Sequence, residues 1–350
     1  MSAAISLVLV THRSSAVAAA AAASFRAQVR ELGLAGEVVI VDHSEDDSER
    51  ALLGNAGPDR LLARPNRGYA AGVNAGVAAA RGDTLLVGNP DIVFEPGALA
   101  ALLEALAAGW DVVGPQFTLA GFLFPPADLQ TPGEQLRRWL AGKSVALWRR
   151  ELRRELGRWR AVWGARSPVP ATTLSGALLA FRRSAFERSG VWDEGYFLFF
   201  EETEWMRRAA AAGLRLAQVP GARVRHSWGH AADPERSGQL FAASRARFLA
   251  GCYGWRGRLA LRLRPAAAPL AIAPLSPAGE TLPHGRVQWL LSPTALGLPA
   301  AMLTGTAEEL SRALRGVAEA RNGRGRYLVF AADPAGAGVL GAWSWEAHDG

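Results

Sequence analysis

Short apolar runs and longer stretches of helical spacing alternate through the first third of the chain. Residues 5–10 (ISLVLV), 37–41 (EVVIV), 84–87 (TLLV) and the pair Val112 and Val113 are apolar and rich in β-branched side chains, so each predicts a buried strand, with Leu61 and Leu62 a short one between the second and third. Between them, an alanine-rich helix is predicted over residues 14–32 from Ser14 or Ser15, a second over 69–80, and a third opened by Pro96 and closed by Gly109. Strands alternating with helices of about 10–15 residues predict an α/β fold, a Rossmann-like, mainly parallel sheet with helices on both faces.

The pattern changes further on. Residues 172–181 (TTLSGALLAF) predict an apolar strand with Gly176 inside it, and 201–213 an acidic helix ended by Gly213. Five prolines among alanines over 265–283 predict a linker or wrapping segment. Beyond it come a strand at 287–291, a helix boxed by Thr306 and Glu309, and strands at 327–331 and 339–345. The expected organisation is a domain over 1–260 with a helical insertion at 134–166, a linker over 261–285 and a small α/β domain over 286–350. His12 and Arg13 interrupt the apolar N-terminus, which reads as a strand and helix rather than a leader, and no run of about 18 uncharged apolar residues predicts a membrane span.

Composition narrows the chemistry. A single cysteine, Cys252, forms no internal disulfide and suits a reducing cytoplasm, and six scattered histidines give no zinc-site spacing. The net charge is +7, and residues 134–166 alone hold ten basic and three acidic residues. In that segment Leu136, Trp139, Leu140, Leu147, Trp148, Leu152, Leu156, Trp159 and Trp163 recur at three or four residues, which predicts one or two amphipathic basic helices. Such helices fit an anionic membrane surface, or equally the protein's own core with a solvated basic face. No nucleic-acid-binding motif accompanies the charge.

Carboxylates stand where strands stop. The strand at 84–87 ends in Gly88, Asn89, Pro90 and Asp91, and proline cannot continue the ladder. Asn89 and Asp91 are therefore expected at the carboxyl edge of the sheet, where open α/β sheets bind ligands; the same residues also make an ordinary turn. Asp42 ends the second strand, either to accept hydrogen bonds from a ligand or to cap the helix that follows. Glycines at 68, 72 and 76 recur once per helical turn, for close packing or for the approach of an anion to the helix start. Glu201, Glu202 and Glu204 open their helix in FFEETEW, where acids also answer the helix dipole.

RPNRGYAAGVNAGVAAARGD over 64–83, then NPD, FLFFEETEW and RHSWGH, in that order and at that spacing, resemble the family 2 nucleotide-sugar glycosyltransferases, above all their rhamnosyltransferase-like branch. The likeness covers about residues 5–230 and implies a GT-A fold. It implies that Thr11, Asp42, Arg67, Gly68, Asn74, Asn89 and Gly176 line the nucleotide-sugar site, with His43 standing where asparagine is usual. Asp91 and His226 would hold Mg²⁺ or Mn²⁺, with Arg223, Arg225 and His230 near the leaving diphosphate. Asn89 departs from the family's first aspartate. Glu202 falls at the general base, where aspartate is more usual, and its longer arm leaves Glu201 as the other candidate.

The resemblance implies an inverting, metal-dependent hexosyltransferase moving a sugar from a nucleoside diphosphate sugar to a cell-surface glycan or lipid-linked acceptor. dTDP-rhamnose is the favoured donor, with UDP and GDP sugars as alternatives, at the cytoplasmic face of a plasma membrane. The rival reading is a non-catalytic nucleotide-sugar-binding scaffold of a glycan assembly complex. Oligomeric state and the role of the C-terminal domain stay open.

Overall fold

Strand β1 (Ile5–Thr11) is buried along its whole length, as a mostly apolar strand in mid-sheet requires. Helix α1 (Ser15–Glu31) follows and buries Ala18, Ala21, Ala22, Phe25 and Val29. Next come β2 (Gly36–Asp42), α2 (Asp47–Gly54), β3 (Arg60–Ala63), α3 (Tyr69–Ala79) and β4 (Thr84–Gly88). The four strands lie parallel in the order β3-β2-β1-β4, with Thr11 level with Asp42 and Leu9 level with Gly88. The carboxyl ends of β1, β2 and β4 therefore open on one edge. Then follow β5 (Ile92–Phe94), α4 (Ala98–Ala107) and β6 (Val112–Leu119). This computed structural model describes residues 5–227, 234–264, 266–275, 282–321, 323, 325–334 and 338–347.

The chain forms two units: residues 1–117, 126–129 and 165–248 make the first, and 118–125, 130–164 and 249–350 the second. The second therefore receives β7 (Phe122–Leu123), α5 (Pro132–Ala141) and α6 (Val145–Trp163) before the chain returns to the first. There it adds β8 (Val169–Pro170), β9 (Leu178–Arg182), α7 (Arg183–Ser189), α8 (Glu201–Ala211) and β10 (Leu216–His226), and α9 (Pro234–Ala260) leads out again. Strand β9 runs antiparallel to β4 and β6, and β10 antiparallel to β5 and β8. The expected mainly parallel sheet is thus mixed. Parallel pairing needs a crossover, which α1, α2 and α3 supply, whereas β9 arrives from a turn and runs the other way. Gly176 lies in that turn, two residues ahead of the strand expected to contain it.

In the second unit, β11 (Ala273–Pro274), β12 (Val287–Ser292), β13 (Ala301–Gly305), α10 (Ala307–Ala320), β14 (Arg326–Ala332) and β15 (Val339–Glu346) complete the chain. The order β7-β13-β12-β14-β15-β11 is antiparallel except for the last pair. Alternation along β12 sends Trp289 and Leu291 to one face, with Leu310, Leu314 and Val317 of α10. Leu290 goes to the other, with Trp148, Leu152, Leu156 and Trp159 of α6. The Trp148 indole N–H donates to the Leu296 carbonyl (2.8 Å), and its ring lies 5.2 Å from that of Phe330. Trp148, Leu152, Leu156 and Trp159 of the stripe that suited a membrane are thus taken up by a sheet, whereas Leu136, Leu140 and Leu147 stay exposed, and residues 130–164 belong with 249–350 rather than as an insertion of the first domain. Nineteen of the 39 basic and ten of the 32 acidic residues lie in this unit, leaving it at +9 and the first at −2. Among the described residues no helix is long and apolar enough to cross a membrane.

Candidate active site

At the end of β2 the Asp42 carboxylate is buried. Its Oδ1 accepts the Ser44 N–H (2.9 Å), while Oδ2 has no hydrogen bond and lies 3.8 Å from Arg50 Nε. Helix α2 is capped by Asp46, which accepts from the amides of Ser48 and Glu49, so Asp42 is not spent on that role. Beside it Thr11 is buried and donates to the Val41 carbonyl (3.3 Å), and burial pulls the His43 imidazole below its usual pKa. A buried carboxylate oxygen without a donor is costly in a finished protein and is what a ligand hydroxyl or imide would satisfy.

The start of α3 grips a loop leading to α8. Gly68 has φ +97°, and a Cβ there would run into the Phe197 carbonyl, which accepts the Tyr69 N–H (2.8 Å). Two residues expected at the nucleotide have side-chain partners in this loop. Asn74 donates from Nδ2 to the Trp192 carbonyl (2.9 Å) and Glu194 Oε1 (3.2 Å), and its Oδ1 accepts the Trp192 N–H (2.9 Å). Arg67, 72% exposed, pairs with Glu194 (3.0 Å). Both amide donors and the amide oxygen of Asn74 are thereby used by protein partners.

The loop ends in strain. Phe199 and Phe200 have φ of 71° and 70°, a left-handed conformation that costs bulky residues about 1–3 kcal/mol each and persists where surroundings enforce it. Phe200 packs on Phe241 and Phe248 with centroids 5.3 and 5.2 Å away, and Ser244 donates to the Leu198 carbonyl (2.7 Å). Helix α8 starts immediately afterwards, with Glu201 and Glu202 in its first turn.

The two carboxylates differ. Glu201 is almost wholly buried, its Oε2 has no hydrogen bond, and burial followed by the Glu202 charge raises its pKa well above the usual range. Glu202 is half-buried; burial raises it too, opposed by hydrogen bonds from its own amide and those of Thr203 and Gly176. A Cβ built on Gly176 would fall 2.8 Å from Glu202 Cγ. Sequence reasoning took Tyr69 only as a helix start. Its hydroxyl is buried without a hydrogen-bond partner, and burial together with the charges of Glu201, Glu202 and Asp91 holds it neutral, a donor. A lone phenol opening a helix that is otherwise glycine, alanine and valine apart from Asn74 was the available signal.

Asn89 and Asp91, from the turn after β4, come together with His226 at the end of β10. His226 Nε2 lies 3.2 Å from Asp91 Oδ1 and 3.4 Å from Asn89 Nδ2, and its ring sits 5.5 Å from that of Phe117. Arg223 and Arg225 alternate onto the exposed face of β10, opposite His226. His230 lies outside the described residues. A separate hollow of about 560 Å³ in the first unit is lined by Trp110, Pro170, Arg207 and Arg215 and contains none of these carboxylates.

The model of glycosyl transferase family 2 matches residues 6–189, more than half of the chain. The chain belongs to this family. The match ends before Glu201, Glu202 and His226. Two curated relatives, both N-acetylglucosaminyl-diphospho-decaprenol L-rhamnosyltransferases of Mycobacterium tuberculosis (strains CDC 1551 / Oshkosh and ATCC 25618 / H37Rv), are 32% identical over 196 residues. That alignment takes in 51% of this chain and 62% of each relative, so the chain spans less than two thirds of their length. Solved structures resemble it loosely. GalNAc-T7 with UDP, GalNAc and Mn²⁺ gives a TM-score of 0.48 at 16% identity over 71% of this chain and 48% of that one. Mannosyltransferase PcManGT from Pyrobaculum calidifontis with GDP-Man and Mn²⁺ gives 0.46 at 17% identity over 77% and 67%.

Proposed function

We propose that this family 2 member is an inverting glycosyltransferase that moves one sugar from a nucleoside diphosphate sugar to an acceptor hydroxyl, with Glu202 as general base. The observation that carries this reading is the Glu202 carboxylate itself, half-open, oriented by the Gly176 and Thr203 amides and presented by the strained Phe199 and Phe200. Glu202 takes the acceptor's proton as its oxygen bonds to the anomeric carbon. The bond from that carbon to the diphosphate breaks with its electron pair leaving on the phosphate oxygen, so the configuration inverts. Glu201 stays protonated behind it, which spares Glu202 a neighbouring negative charge. Asp42 offers its unsatisfied oxygen to the nucleoside.

Asp91 and His226, with Asn89 beside them, suit Mg²⁺ or Mn²⁺. Two donors about 2.1 Å from an octahedral ion lie about 3 Å apart, close to the separation of 3.2 Å between His226 Nε2 and Asp91 Oδ1. Among the described residues no third acid, histidine or cysteine joins them, which fits an ion completed by diphosphate oxygens and water. A bound ion would supply positive charge to the diphosphate as it departs. The mycobacterial relatives, named as L-rhamnosyltransferases of N-acetylglucosaminyl-diphospho-decaprenol, support rhamnose as the sugar and a lipid-linked glycan as the acceptor; dTDP-rhamnose as the donor and the cytoplasmic membrane face as the place are our own proposal.

Calorimetric titration of dTDP, UDP and GDP with and without Mn²⁺ tests the donor site, and Glu202→Gln tests the base. The reading expects one nucleotide to bind more tightly with manganese, and the variant to keep that binding while transfer collapses. Normal transfer by the variant rules Glu202 out, failure of all three nucleotides to bind overturns the donor site, and nucleotide binding without transfer by the wild type favours the scaffold alternative.

A further inference from the structure

Part of the apolar stripe of the basic segment stays outside the core. Leu136 and Leu140, one turn apart on α5, are 46% and 37% exposed, and Val145 and Leu147 at the start of α6 are 37% and 36% exposed. These lie on either side of the turn at Gly142, and Lys143 in that turn stands over the Trp139 ring at 4.2 Å. The acids of the hairpin are engaged away from this tip. Glu151 is buried and bound by Arg137 and Arg154, and Glu155 is buried and bound by Arg154 and Arg158. Arg149, Arg150 and Arg153 stand exposed on the next turns of α6, and among the described residues no acid pairs with them. Trp255 and Leu259, one turn apart on α9, are 67% and 54% exposed among Arg256, Arg258 and Arg262, and the chain beyond them reaches the hairpin, where Ala266 packs on Gly142.

We propose that the tip of the α5–α6 hairpin docks on an anionic phospholipid surface, with Leu136, Leu140, Val145 and Leu147 entering the headgroup layer and Arg149, Arg150 and Arg153 meeting lipid phosphates. Aliphatic side chains ringed by cations match that surface. A nucleic acid would call for open aromatic stacking platforms or polar base readers, whereas the exposed side chains of this tip are mostly aliphatic and the Trp139 indole lies under Lys143. The surrounding unit carries +9 while the unit with the carboxylates carries −2, so the attraction belongs to the second unit. The inference rests on exposure and charge in the second unit and is independent of what the first unit transfers.

The test is flotation of the full chain with vesicles of phosphatidylcholine alone or with about one third phosphatidylglycerol. Wild type should float with the anionic vesicles only, and release as salt rises from about 0.1 M to 0.5 M. Each cation contributes about fivefold, so Arg149→Gln with Arg150→Gln and Arg153→Gln should weaken binding about 100-fold. Leu136→Ser with Leu140→Ser and Leu147→Ser should also weaken it, whereas the control Arg312→Gln with Arg315→Gln on α10 should not. All substituted side chains are exposed, so an unchanged circular dichroism spectrum and nucleotide titration accompany the loss. Lys143 is the chain's one lysine, and anionic vesicles should protect it from acylation. Failure to float, equal binding to neutral vesicles, or a triple arginine variant that binds like wild type overturns the proposal. Saturable binding of a DNA duplex that wild type prefers to anionic vesicles overturns it in favour of nucleic acid.

Discussion

Replacing Gly176 by alanine puts one methyl group against the Glu202 side chain, the base proposed above. The added Cβ would lie 2.8 Å from Glu202 Cγ, where ordinary contacts begin at 3.4 Å, so the side chain must retreat by about 0.6 Å. Glu202 is free to yield, half-buried at a helix start, and the cost to stability should stay under about 1 kcal/mol. Rate is far more sensitive. A displacement of about 1 Å costs on the order of 100-fold, so Gly176→Ala should lose roughly tenfold in kcat, about 1.4 kcal/mol of barrier, with nucleotide affinity unchanged. Initial rates of sugar transfer, calorimetry and thermal melting measure the three effects. Truncating Glu202 to alanine removes the Cγ and Cδ that the new methyl would meet, so Gly176→Ala should cost less stability in the Glu202→Ala background than in the wild type, a non-additivity that direct contact explains. An alanine variant with wild-type kcat refutes the placement of Glu202 against Gly176 as a constraint on catalysis. A variant that instead loses nucleotide-sugar affinity would make Gly176 a donor contact.

Glu201 gives a pH signature. Its folded pKa lies well above the ordinary 4.5, so its contribution to stability is fully present below pH 4.5 and is lost as pH rises through the folded value. Glu201→Gln should therefore flatten the fall in denaturation midpoint above pH 4.5 and raise stability at neutral pH; an unchanged profile counts against a buried, protonated Glu201. Asn74→Ala severs three hydrogen bonds to Trp192 and Glu194 and should cost about 2–3 kcal/mol in urea denaturation, together with a fall in kcat as the Glu201 loop slackens. A loss of nucleotide affinity at full stability would return Asn74 to the donor site. Trp148→Ala removes a fully buried indole from between α6 and β14 and should cost about 3–5 kcal/mol, while a surface role would leave stability within about 0.5 kcal/mol.

The strands, the edge at which they stop and the carboxylates at that edge were legible because apolar runs, proline and glycine act locally. The reversal at β9 was not, since an apolar run of five residues reads alike in either direction. The stripe of α6 has the same period whether it meets lipid or β12 and β14, so spacing supplied the helix without its partner. Motif likeness placed Arg67 and Asn74 at the nucleotide. Their side chains reach residues more than 110 positions away, a pairing no local pattern encodes. The left-handed Phe199 and Phe200 were illegible for a related reason: propensity opposes them, and packing from Phe241, Ser244 and Phe248 overrules it.

The second unit is sewn from segments far apart in the chain, and this imposes an order on biosynthesis. Trp148 and Trp159 leave the ribosome well before Leu290 and Phe330, the residues that will cover them. At about 5–20 residues per second, the roughly 130 residues between Trp159 and Leu290 take on the order of 7–26 s to make. For that interval the nascent chain shows an oily, cationic hairpin with no strand beneath it. A ribosome stalled before residue 287 would hold a natural client for holdase chaperones.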